Sequence, residues 1–201
     1  MKKIYLDTNQ LYYIRRIADE AEGEDFGNYE WACQKFPNKP ELVADIRALC
    51  YIVALQYEWD LDFSSSDASY SEICRIAGNR AQATRDAWVL FAQGLKDEQH
   101  LRRVPLLPRW PVSGPLSFAF IEDADDRVIL RHFASVGADV FLTSDEHILK
   151  HKNRLAQANL SVMRPSEWLT AFFPPLKENE NSVDSLERIL FGIDTEPQIC
   201  A

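Results

Sequence analysis

Apolar positions along this chain change period several times, and each change marks an element. Ile4-Tyr5-Leu6 is an unbroken apolar run, read as a buried strand that stops at Asp7. Leu11, Ile14, Ile17 and Ala21 follow at three- and four-residue steps, the spacing of one helix face. Residues 22–40 show no period and carry Gly23, Gly27, Pro37 and Pro40, so they read as an irregular excursion. Leu42, Ile46, Leu49, Val53 and Tyr57 predict a helix over 41–57. Leu61 and Phe63 alternate with Asp60 and Asp62, a brief strand running into Ser64-Ser65-Ser66. Helices are expected over 67–76 and 79–99, the second with Ala83, Ala87, Phe91 and Leu95 in register. Pro105, Pro108, Pro111 and Pro115 make 101–118 a long loop. A helix over 126–136 closes at Gly137, a suitable C-cap. Val140-Phe141-Leu142-Thr143 is the clearest strand, and a helix runs from Ser144-Asp145 to about 158. A last short strand over 160–163 precedes a helix from Pro165 to Phe172.

Strands that alternate with helices imply a parallel sheet covered on both faces, with right-handed connections. Ligands of such sheets bind beyond the carboxyl ends of the strands. That rule selects among the 31 acidic residues. Asp7 and Asp145 each follow a strong strand directly. Asp126 opens the helix that leads into the second of these strands, and Glu72 lies early in the helix after the Leu61/Phe63 strand. Four carboxylates from four segments can therefore converge on one sheet edge. Taken singly, Asp7, Asp126 and Asp145 are also natural helix caps or first-turn residues, and Glu72 a solvated one. Crowded carboxylates repel and stay ionised only with a cation, and an all-oxygen donor set selects Mg²⁺ or Mn²⁺. Such an ion activates water and neutralises charge on a phosphate, which leads to phosphodiester hydrolysis.

A chain of 201 residues makes one large domain, or one domain with additions. The formal charge of −9 excludes a protein that coats nucleic acid through bulk charge, but not an enzyme with a local basic rim. Cys33, Cys50, Cys74 and Cys200 follow no metal-ligand spacing and read as buried thiols of a reducing cytosol. No signal peptide is expected, since only Ile4-Tyr5-Leu6 is apolar before Asp7, and the longest apolar run, 48–55, is far too short to span a membrane. A cytoplasmic protein without membrane contact is expected.

Lys3-Ile-Tyr-Leu-Asp7-Thr-Asn9 is similar to the opening strand and first acid of PIN-domain nucleases, the VapC-like ribonuclease superfamily. Residues 63–73, from Phe63 through Glu72 to Ile73, resemble its second strand and acid. Asp126-Arg-Val-Ile129 with Gly137-Ala-Asp-Val-Phe-Leu-Thr-Ser-Asp145 resembles its most specific stretch. The resemblance implies a three-layer α/β/α sandwich around a parallel sheet of four to five strands. It implies a nuclease domain over 1–173 with insertions at about 22–58 and 101–118, then an acidic tail over 174–201. It implies an endoribonuclease that uses Mg²⁺ or Mn²⁺, of toxin or RNA-processing type, with an antitoxin as one kind of partner. Asp7, Glu72, Asp126 and Asp145 match the catalytic, metal-binding acids; Asn9, Thr143 and Ser144 match supporting positions. Asp126 is chosen over its neighbours Asp123 and Asp125 because the Asp-x-x-Ile pattern and the distance to Asp145 fit.

Further residues are weaker candidates. Lys150, Lys152 and Arg154 form a basic helix face beside Asp145 that suits RNA phosphates, with a solvated face as the plain alternative. His147 and His151 on the same helix lack the third ligand of a zinc site. Arg102, Arg103 and Arg109 share the proline-rich loop with Trp110, which suits stacking on a base. In the tail, Val183, Leu186, Leu190 and Ile193 form one face of a short helix that must dock, on its own core, a second copy or a partner. Two other functions compete. One is a PIN-like scaffold that binds RNA or protein without cutting. The other is a haloacid-dehalogenase-like phosphatase, which wants Asp-x-Asp where this chain has Asn9.

Overall fold

The structure is a computed structural model that describes residues 2–20, 29–54, 61–65, 69 and 118–172. Glu72, Arg102, Arg103, Arg109, Trp110, the helices expected over 67–76 and 79–99, and the tail lie outside the described residues.

The architecture is α/β. Strands β1 (Lys2–Leu6), β2 (Leu61–Ser64), β3 (Val140–Leu142) and β4 (Val162–Met163) form a four-stranded sheet in the order β2-β1-β3-β4. Every pairing is parallel, with Ile4 opposite both Phe63 and Val140. Central strands of a parallel sheet are covered on both faces, so β3 and the part of β1 that lies between β2 and β3 need apolar residues, and Ile4 through Leu6 and Val140 through Leu142 are all buried. The pleat sends Ile4, Leu6, Val140 and Leu142 into one core with Leu11, Ala48, Tyr51, Ile52, Trp168 and Leu169. Tyr5, Phe141 and Val162 face the opposite core with Ile129, Leu130, Phe133, Ile148 and Leu155.

Helices α1 (Thr8–Glu20), α3 (Pro40–Ala54) and α7 (Pro165–Phe172) supply the first core; α4 (Ala124–Val136), α5 (Glu146–Leu149) and α6 (Lys152–Gln157) supply the second. A third cluster joins α1 and α3 to α2 (Glu30–Lys35) through Tyr13, Ile17, Trp31, Ile46 and Leu49. The excursion expected over 22–40 thus contains a helix, held by Trp31 and Ala32 in that cluster. Nor is α3 peripheral, since it packs against the sheet on one side and α2 on the other.

Two helix boundaries differ from expectation. α4 starts at Ala124, not Asp126, because Asp123 is the N-cap and accepts from the backbone N–H groups of Asp125 and Asp126. Gly137 ends it at φ 65°, the left-handed region in which a C-terminal glycine carries no Cβ penalty. The helix expected over 145–158 is two short ones, broken at Lys150-His151, where the His151 N–H bonds back three residues to Ile148. Cys33 is disulfide-bonded, against the expectation of four thiols, while Cys50 is buried and in no disulfide. Spacing along the chain does not report which cysteines the fold brings together. Among the described residues no helix is long and apolar enough to cross a membrane.

Candidate functional site

β1 connects toward β2 on one side, and the chain later returns to place β3 on the other side of β1. The crevice beyond the carboxyl ends of β1 and β3 is therefore the switch point where open parallel sheets bind ligands. Asp7 leaves β1 there. Its backbone N–H donates to the Leu142 carbonyl at 3.2 Å, and its own carbonyl accepts from Gln10 and Leu11 to start α1. Its side chain is 4% exposed.

The Thr143 hydroxyl joins the two strand ends. Thr143 Oγ1 donates to Asp7 Oδ2 at 2.7 Å and accepts from the backbone N–H of Asp145 at 3.0 Å. Asp7 Oδ1 accepts from the Thr8 N–H at 2.8 Å. A hydroxyl carries one donor and two acceptor sites, so one buried group can fix a carboxylate and the turn bearing a second carboxylate. Asp145 then caps α5 by accepting from the His147 N–H at 2.7 Å. For Asp145 the capping and site roles are compatible, because the cap uses one oxygen of a group that has two.

Asp145 opens onto a cleft of about 440 Å³ lined by Glu122, Asp123, Asp125, Asp126, His147 and Lys150, with Ile121 at its edge. Arg127 holds the turn that brings these acids in, donating to the carbonyls of Ile121 at 2.6 Å and Glu122 at 2.8 Å. Asp126 and Asp145 thus share one wall with Asp123 and Asp125, the neighbours weighed against Asp126. Asp7 joins them through Thr143. Asn9 is half-buried in the first turn of α1.

The basic residues divide. Lys150 lies in the cleft wall and pairs with Glu122 at 3.4 Å. Lys152 turns away to Glu167 at 2.6 Å, outside the cleft. Arg154 stacks on Phe120, 4.1 Å from the ring centre. His151 packs against the same ring, and its pKa is lowered by burial and then by the charges of Lys150 and Arg154, with Glu122 opposing.

A second polar cluster sits at the same edge, beyond β4. Arg164 Nη1 donates to Asp45 Oδ2 at 2.9 Å and Nη2 to Glu41 at 3.0 Å; Nη2 also bonds Glu146, next to Asp145. Asp45 is fully buried and its other oxygen accepts from Ser166 Oγ at 2.6 Å. Burial disfavours the guanidinium charge, but Asp45 and Glu146 outweigh it and raise the Arg164 pKa. Sequence reasoning missed this cluster and also Gln10, whose side chain is fully buried against Ser144. A lone Asp in an apolar helix and a lone Arg after a strand were its only signals.

No family model, no curated protein and no solved structure matches the chain. The donors in and behind the cleft are hard oxygens, which suit Mg²⁺ or Mn²⁺. Among the described residues, however, no group of three or more His, Cys, Asp or Glu side chains is placed to hold an ion. The described carboxylates alone do not close a metal site, and Glu72, the fourth expected ligand, lies outside them.

Proposed function

We propose that the chain is a metal-dependent endoribonuclease of PIN type, with its sheet at the centre of a three-layer sandwich. The observation that carries this reading is the Thr143 hydroxyl, which binds the Asp7 carboxylate and the Asp145 turn together at the switch point. Asp145 and Asp126 form the reacting wall, Asp7 is the buried floor behind it, and Glu72 completes the set that the resemblance implies. The cation, when bound, would supply an activated water and offset charge on the phosphodiester. Lys150 suits an RNA phosphate at the cleft wall, Thr143 holds the first acid, and Asn9 is the supporting residue that the resemblance implies. RNA is the substrate; an antitoxin-like protein or a second copy remains a partner proposed from the resemblance and from the tail's apolar stripe.

A second reading is a PIN-like scaffold that binds RNA without cutting. One observation favours it, the lack of a closed metal-ligand group among the described residues. Incubation with pooled single-stranded and structured RNAs plus Mn²⁺ decides. The ribonuclease cuts, EDTA stops it, and Asp145→Asn lowers the rate by about a hundredfold or more while the protein stays folded, about 2.7 kcal/mol of barrier. Full activity in Asp145→Asn, or activity untouched by EDTA, defeats the ribonuclease. RNA binding without any cutting supports the scaffold, and turnover of a small phosphomonoester instead would point to phosphatase chemistry.

A further inference from the structure

Gln10 has no role in the catalytic set above, yet it lies between the two acidic turns. It is fully buried in the first turn of α1, three residues after Asp7. Its Nε2 donates to Ser144 Oγ at 3.0 Å, across the gap between β1 and β3. Its Oε1 is buried without a hydrogen-bond partner. Ser144 in turn separates Thr143, which holds Asp7, from Asp145 in the cleft wall.

The amide has two orientations, and chemistry chooses between them. Reversed, it would bury an N–H₂ group without an acceptor, which is rarer in folded proteins than a carbonyl without a donor. The orientation with Nε2 on Ser144 therefore stands, and it has a consequence. A serine hydroxyl that accepts from Gln10 keeps its proton to donate elsewhere. Ser144 makes no donor bond to any described residue and is half-buried, so its hydroxyl retains access to the edge where ligands bind.

We propose that Gln10 is a positioning residue that fixes the Ser144 hydroxyl as a hydrogen-bond donor to a phosphate oxygen of bound RNA. The substrate class rests on the ribonuclease reading; the Gln10–Ser144 pairing does not. Only Ser144 touches substrate, and Gln10 acts through it.

The test uses the full chain and four proteins: natural, Gln10→Met, Ser144→Ala and the double variant. Each is assayed for RNA cleavage with Mn²⁺, for binding of a fluorescent single-stranded RNA oligonucleotide in EDTA, and for melting temperature. Ser144→Ala should raise KM and the oligonucleotide Kd about tenfold, and Gln10→Met about threefold. The double variant should be no worse than Ser144→Ala, because Gln10 has nothing left to orient. Gln10→Met keeps volume and removes the unpaired carbonyl, so its melting temperature should hold; a merely structural glutamine would lower melting and leave KM unchanged. An unchanged KM and Kd in Gln10→Met, or additive effects in the double variant, overturns the proposal. If the natural protein binds the oligonucleotide without cutting it, the ribonuclease reading fails and the binding arm alone decides this one. If it does not bind at all, both fail.

Discussion

Two acidic clusters share one edge of the sheet and are handled in opposite ways. Beyond β4, Asp45, Glu41 and Glu146 gather around a single guanidinium, and the buried Asp45 is answered by a full counter-charge. Beyond β1 and β3, a hydroxyl and backbone N–H groups orient Asp7 and the turn of Asp145. Hydrogen-bond donors orient a carboxylate without cancelling its charge, whereas an ion pair removes the charge from use. The first cluster is built like a brace between α3, α5 and the start of α7. The second is built like a site, with negative charge held in place at the mouth of a cleft.

The largest test of that contrast is Arg164→Met. It leaves the Asp45 carboxylate buried without its counter-charge, which should destabilise the fold by about 3–5 kcal/mol. Urea unfolding should show a lower midpoint at unchanged slope. Adding Asp45→Leu should recover part of the loss, since a pair replaced by apolar groups does not strand a charge. Cleavage per folded molecule should stay within about threefold of natural, under 1 kcal/mol of barrier. If Arg164→Met lost activity as severely as Asp145→Asn while remaining folded, the brace would be part of the site and the comparison would break.

Part of this was legible in the sequence and part was not, for physical reasons. Buried parallel strands must be apolar throughout, so Ile4-Tyr5-Leu6 and Val140-Phe141-Leu142 announce themselves, and the acid after each is placed by chain direction alone. The helix that carries Asp126 was entered two residues late, because any of Asp123, Asp125 and Asp126 can cap and only geometry shows which does. Gln10, Asp45 and Arg164 were invisible. Their partners lie 134, 119 and 119 residues away, and no local pattern distinguishes them from solvated side chains. α3 was traced along one stripe, Leu42, Ile46, Leu49 and Val53, yet it is packed on two sides. Tyr51 and Ile52 are fully covered while Val53 is only half-buried.

A smaller test addresses the hydroxyl itself. Thr143→Val keeps the shape and deletes the donor to Asp7 and the acceptor for the Asp145 N–H. Losing both of these hydrogen bonds should cost about 1–3 kcal/mol, less than the loss of Arg164. Activity should nevertheless fall about tenfold or more, because both acids lose their orientation. Thr143→Ser keeps the hydroxyl and should stay close to natural in both measures. Arg164→Met and Thr143→Val should therefore swap rank between unfolding and cleavage. The same rank in both assays would mean that the two clusters are alike.

The smallest effect concerns the cationic flank of the cleft. His151 Nε2 is buried without a partner, and burial together with Lys150 and Arg154 lowers the ring's pKa below 6.5, with Glu122 opposing. A base with a lowered folded pKa is more readily protonated in the unfolded chain. Its contribution is nil well above pH 6.5 and becomes destabilising as the pH falls through that value toward the folded pKa. Glu167 titrates in a separate window. Burial favours its neutral form, but the Lys152 and Arg164 bonds outweigh this and depress its pKa below 4.5, so its stabilisation is lost only at lower pH. Melting temperatures between pH 7.5 and 5 should thus decline slightly in the natural protein. The decline should be smaller in His151→Phe, which keeps a ring against Phe120 but cannot take a proton. If both declined equally, the acid sensitivity would come from other groups, and the flank would hold its lysine and arginine beside the acidic wall without straining the histidine between them.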